Sequence, residues 1–178
     1  MDIINIKGAL YTVHYDNEED DEYSRLFNQW SDLNYLEDFL YEHRQYLDSD
    51  FWTSLGYSSS DWDLAANEII DEAEALENYI DDLTNNGELD SYFTPLDGDY
   101  KYLYEILPVK GYGKVTPPSF IRLYAIKLKD NAYVIIYGGI KLSDKIQTSP
   151  DLKDNVIPKI KKALAYFKQN GITESSDI

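Results

Sequence analysis

Apolar positions recur along this chain with two periods, and the changes of period mark out the elements. Residues 9–15 carry the β-branched and aromatic side chains of a strand. Alternation puts Leu10, Thr12 and His14 on one face and Tyr11, Val13 and Tyr15 on the other. An acidic run over 17–22 follows, suited to a helix start because carboxylates favour the positive end of the helix dipole. From Glu22 to about Leu47 the spacing is helical, with Leu26, Trp30, Leu33, Leu36, Leu40 and Leu47 on one stripe. A second helix has N-cap candidates at 58–61 and a seam of Trp62, Ala66, Ile69, Ala73, Leu76, Ile80 and Leu83, stopped by Asn85-Asn86-Gly87. The matching stripes predict an antiparallel pair of long helices, with Asp63, Asp71, Glu72 and Asp81 mostly outside the seam.

Beyond residue 95 the period shortens. Residues 100–107 alternate between Tyr100, Tyr102, Tyr104 and Ile106 on one face and Lys101, Leu103, Glu105 and Leu107 on the other. Residues 111–118 read as a loop, punctuated by Gly113 and Pro117-Pro118. Residues 120–128 and 132–137 read as strands joined by the turn Lys129-Asp130-Asn131. The run from 133 to 137 is apolar on both faces, which predicts a central strand covered on two sides. A last helix has Val156, Ile160, Leu164 and Phe167 as its stripe, Pro158 in its first turn, and Gly171-Ile172 as its stop. Residues 173–178 are expected to fray.

Composition narrows the chemistry. Cysteine is absent, which removes disulfides, thiolate metal sites and a cysteine nucleophile, and two histidines (His14 and His43) exclude a zinc site built on several imidazoles. No metal and no cofactor is expected. His43 on its apolar stripe reads as a core residue, and His14 as a proton carrier is the less favoured reading. No stretch approaches the roughly 18 apolar residues of a membrane helix, and the N-terminus lacks a signal-peptide pattern. The expectation is a cytoplasmic, soluble protein with no membrane contact.

The charge is uneven. Residues 1–100 hold 26 acids against three bases, a net of −23, whereas 101–178 hold 13 bases against seven acids, a net of +6. Acidic helices can simply keep a protein soluble. Such asymmetry also suits a basic part that touches an anion and an acidic part that excludes one or meets a basic partner.

Several local strings resemble the RelE/ParE/HigB toxin superfamily, HigB-like members above all. Pro95-Leu96 followed by Leu103-Tyr104-Glu105 is similar to a Pro-Leu turn leading into a Leu-Tyr-Glu-Leu-Arg strand. Ile121-Arg122-Leu123-Tyr124 resembles the next strand, and Gly138-Gly139-Ile140-Lys141 the strand that runs into a glycine and paired lysines. Lys145 and Ser149-Pro150 match a further lysine and the start of the last helix. The likeness covers about residues 95–170; over 1–94 it rests on element order.

The resemblance implies an α+β fold. It would have an antiparallel or mixed sheet of about four strands, an N-terminal pair of long helices and a C-terminal helix, in one domain over 1–172 with an enlarged acidic helical part over about 17–90. It implies a toxin–antitoxin-type protein: a metal-independent mRNA endoribonuclease or an RNA-binding relative, with RNA or the ribosome and an antitoxin as partners. Cleavage by an RNA 2′-OH needs a group to take its proton and cations to hold the phosphorane charge. Arg122, Lys141 and Tyr124 are the expected catalytic residues, and Lys101, Tyr104, Lys127 and Lys145 the expected RNA contacts. Arg122 either grips a phosphate or pairs with Glu105. Gly138-Gly139 permits a bulge or a close backbone approach. Two positions depart from the family pattern, where Ile106 and Leu142 stand in place of cations. They motivate an alternative: a non-catalytic interaction protein on a toxin-like fold, whose acidic helices bind a basic partner. Nothing in the sequence sets an oligomeric state.

Overall fold

The structure, a computed structural model, describes residues 1–96 and 106–178. Among these the fold is α+β, with five α-helices and a mixed six-stranded open sheet in place of the four strands expected. The strands are β1 (Asp2–Lys7), β2 (Leu10–His14), β3 (Thr94–Pro95), β4 (Leu107–Tyr112), β5 (Ile121–Lys127) and β6 (Tyr133–Ile140). They lie in the order β1-β2-β6-β5-β4-β3, with β2 parallel to β6 and every other pair antiparallel. The helices are α1 (Glu22–Ser31), α2 (Leu33–Glu42), α3 (Asp50–Ser54), α4 (Trp62–Asn86) and α5 (Val156–Asn170).

The expected helix over 22–47 is broken. Asp32 takes an extended conformation, and its carboxylate accepts the amides of Asn34 and Tyr35 at 3.0 and 3.2 Å. That is an N-cap, so it ends α1 and starts α2. A 3-10 turn (Arg44–Asp48) and α3 then carry Trp52 under the sheet, where its ring stacks on Phe120 at 4.3 Å and its Nε1 donates to the Leu142 carbonyl at 2.8 Å. In place of two long antiparallel helices there is one long helix, α4, with shorter ones packed against it. Its seam is buried from Ala66 to Leu83, with Trp62 partly buried at its start, and Gly87 closes it at φ 72°.

Two cores flank the sheet. One lies under α1, α2 and α4 and holds Trp30, Leu40, Ile69, Leu76, Leu123 and Ile135; the other lies under α5 and holds Ile126, Val134, Ile160, Leu164 and Phe167. All eight residues of β6 are buried, which matches a central strand covered on both faces. Gly138 and Gly139 mark how closely: a Cβ on Gly138 would stand 2.8 Å from Leu26, and one on Gly139 would stand 2.6 Å from the Asp151 carboxylate. Side chains therefore pack directly on the glycines on both faces of the strand, the Trp30 ring among them at Gly138.

Three further readings need correction. Gly111 and Tyr112 belong to β4 and not to a loop. The first strand, β1, was missed: it is mostly exposed at the sheet edge, and its three isoleucines, Ile3, Ile4 and Ile6, do not keep a strict alternation. The terminal residues expected to fray hold a 3-10 turn (Ser175–Asp177), with Ser175 N donating to Asp130 Oδ2 at 2.9 Å and Lys129 N to Thr173 O at 2.9 Å. The strand read over 100–107 falls, up to Glu105, outside the described residues.

Candidate functional site

The site begins with a buried carboxylate. Glu72 sits on α4 three residues after Ile69 and four before Leu76, so it turns inward and is 2% exposed, contrary to its expected place outside the seam. Its Oε1 accepts Ser119 Oγ at 2.8 Å and Ile121 N at 3.0 Å, while Oε2 accepts Phe120 N at 2.8 Å. Gly113 makes room for it, because a Cβ there would collide with the carboxylate. Burial raises the acid above its ordinary range; the hydrogen bonds from Phe120, Ile121 and Ser119, then the Lys114 charge, oppose that rise. Glu72 thereby fixes the backbone that starts β5.

Arg122 is the next residue along. Its Nη1 donates to Ser119 O and Ser119 Oγ, each at 3.0 Å, and to Ile121 O at 2.7 Å. Its guanidinium carbon lies 4.2 Å from the Tyr112 ring centroid. Burial lowers its pKa, with Tyr112 and Glu72 acting the other way. Its hydrogen bonds to described residues all leave from Nη1, so Nε and Nη2 are not engaged by them.

Lys141 follows β6 and is tied to the same segment by its amide, which donates to Phe120 O at 2.7 Å. Its ammonium is held below the usual lysine range by burial first, then by the Arg122 and Lys110 charges, against Asp144. Arg122 on β5 and Lys141 just after β6 thus bring two cations to one region, with Asp144 beside them. Arg122 and Lys141 line a cleft of about 140 Å³ with Trp52, Ser119, Ser143 and Asp144.

The other expected site residues do not join them. Tyr124 is 1% exposed inside the α5-side core, and burial pushes its hydroxyl pKa up, so it can neither stack on a base nor exchange a proton with a ligand. Lys127 is at the far end of β5, 5.7 Å from the Tyr133 ring centroid on the helix-side face. Lys145 is exposed and lies outside the cleft lining. Lys101, Tyr104 and Glu105, the proposed partner of Arg122, lie outside the described residues. The two departures are core residues: Ile106 is 5% exposed, and Leu142 is fully buried with its amide bonded to Ser149 Oγ at 3.0 Å. His14 and His43 do not line the cleft; His14 Nε2 meets the Glu18 carbonyl at 3.1 Å and His43 packs edge-on against Phe39.

Sequence reasoning missed Glu72, Ser119 and Lys110. The signal for Glu72 was present in its spacing from Ile69 and Leu76. No local pattern marks Ser119, which is placed by the carboxylate. No helix of the described residues is long and apolar enough to cross a membrane. Comparison with protein-family models, with curated proteins and with solved structures gave no match.

Proposed function

We propose that the protein binds single-stranded RNA, with Arg122 and Lys141 holding a backbone phosphate in the cleft, as a toxin–antitoxin-type protein of the RelE/ParE/HigB kind. The observation that carries this reading is the convergence of the two cations on one small cleft, with Lys141 partly desolvated and within the field of Arg122. A planar guanidinium suits phosphate oxygens by paired contact, and a compact ammonium beside it adds a second positive charge. The order strand, helices, three antiparallel strands and helix supports the likeness, with β1 and β3 added at the edges.

The same pair supplies the needs of cleavage by the RNA itself. The 2′-oxygen attacks the adjacent phosphorus and the bond to the 5′-oxygen breaks, giving a 2′,3′-cyclic phosphate and a 5′-hydroxyl. The fraction of Lys141 that has lost its proton takes the 2′-OH proton, Arg122 holds the charge on the phosphorane, and the leaving oxygen regains a proton from the lysine. A lysine held below its usual range is better matched to that task than a fully solvated one. This reading places the protein in the cytoplasm with mRNA and ribosomes, and brings an antitoxin as its partner.

The test uses labelled single-stranded RNA, with and without ribosomes, reading binding by anisotropy and cleavage by gel. Arg122→Ala and Lys141→Met should each weaken binding by roughly ten-fold, about 1.4 kcal/mol, and abolish any cyclic-phosphate product. Equal affinity in the wild type and both variants would remove the reading.

A further inference from the structure

On the far side of Tyr112 lies a second, larger concavity. It measures about 740 Å³ and runs between α4, the turn that follows it and the segment after β4, with Ala75, Tyr79, Tyr92, Tyr112, Gly113 and Val115 in its lining. Its surface is mostly carbon, and three of its side chains are large and open to solvent: Tyr79 at 45%, Tyr112 at 41% and Val115 at 94% exposed. A concavity with that much open aromatic and aliphatic surface marks a contact site more often than an inert face.

Among the described residues, the α4 side of the rim is acidic. Helix α4 carries eight acids and no lysine or arginine. On its groove-facing side, Asp71 lies four residues before Ala75 and Asp82 three residues after Tyr79, one turn beyond each end of the lining. Both are exposed, and neither forms an ion pair with a described residue. Glu88 and Asp90, in the turn that leads to Tyr92, are exposed as well. The cation in the lining, Lys114, is engaged by Glu68 at 3.1 Å.

We infer that this groove is a docking site for a cationic amphipathic segment of another protein. Its apolar anchors would enter between Tyr79, Tyr112 and Val115, and its lysines or arginines would face Asp71 and Asp82. The apolar floor supplies the burial that gives affinity, and the acidic rim selects positive partners and speeds their approach. An RNA strand is repelled by this rim. A two-fold pairing of this chain would set the acidic rim of α4, with Asp71 and Asp82, against its own copy, at a net charge of −17 per chain. The site is separate from the Arg122–Lys141 cleft and does not depend on the RNA reading.

The experiment uses the full chain and a synthetic helical peptide of lysine and leucine in amphipathic order, with a scrambled peptide of the same composition as control. The amphipathic peptide should bind at least about ten-fold more tightly than the scrambled one, a difference of about 1.4 kcal/mol. Tyr79→Ala and, on a separate chain, Ala75→Arg should erase that preference while circular dichroism stays unchanged; α4 keeps good helix formers at both positions. Asp71→Asn with Asp82→Asn should flatten the salt dependence, and Lys141→Met, whose side chain lines the other cleft, should leave peptide binding intact. Equal binding of the two peptides would overturn the inference, as would a preference that survives both groove variants. A concentration-dependent dimer abolished by Tyr79→Ala would overturn it in favour of self-association.

Discussion

The guanidinium carbon of Arg122 lies 4.2 Å from the centroid of the Tyr112 ring, so one aromatic side chain separates the cationic cleft from the apolar groove. Stacking of this kind is worth about 0.5–2 kcal/mol and orients the cation. Tyr112→Leu is therefore expected to weaken RNA binding several-fold, and Tyr112→Phe, which keeps the ring, to leave it nearly unchanged. Parallel anisotropy titrations of the two variants check this.

Gly113 and Glu72 share one volume, since a Cβ on the glycine would collide with the carboxylate. Gly113→Ala must push Glu72 away from the amides of Phe120 and Ile121. A loss of roughly 1–3 kcal/mol is expected, typical of overpacking in a closed site. It should appear as a lower urea midpoint at an unchanged slope.

Burial sets the sign of a pH effect at the same carboxylate. The pKa of Glu72 is raised in the folded chain above its ordinary 4.5, so the folded state holds the proton longer than the unfolded one. Its contribution to stability is then present below about the unfolded value and falls as pH rises through the folded one. Glu22 and Asp151, also raised by burial, act in the same direction. Glu72→Gln removes this slope and leaves an amide without its acceptor. The wild type should exceed the variant in stability, with a gap that narrows as pH rises above 4.5. Denaturant titrations at several pH values measure the gap.

Asp32 caps α2 through two backbone amides on an exposed surface. Asp32→Ala should cost about 1 kcal/mol, and Asp32→Asn or Asp32→Ser much less. Thermal melts of the three variants separate the capping role from the general effect of removing one of many negative charges.

The elements that were legible in the sequence are those whose pattern is local. The seam of α4 from Trp62 to Leu83, the hairpin at Lys129-Asp130-Asn131, the doubly covered β6 and the Pro158 and Gly171 ends of α5 all follow from spacing and turn chemistry. The break at Asp32 was hidden because the apolar stripe continues through it, and a capping aspartate looks like any other among 33 acids. β1 escaped because an exposed edge strand buries too little to impose a period on its side chains. In the site, the strand pattern brought Arg122 and Lys141 forward. It also paired Tyr124 with Arg122 on one face, which the register keeps, but alternation does not tell which part of a face is core and which is cleft. Tyr124 is buried in the core beneath α5, whereas Arg122, two residues nearer the strand's start, lines the cleft. Glu72 could be read only by weighing its spacing above its charge.

The central claim is that Arg122 and Lys141 neutralise RNA phosphate together. Its most direct test is a titration of the wild type, Arg122→Ala and Lys141→Met with one labelled RNA at a series of salt concentrations. Each lost phosphate contact should lower affinity and make the slope of log affinity against log salt shallower by about 0.7. Lines for the variants that superimpose on the wild type, in both height and slope, would contradict the account.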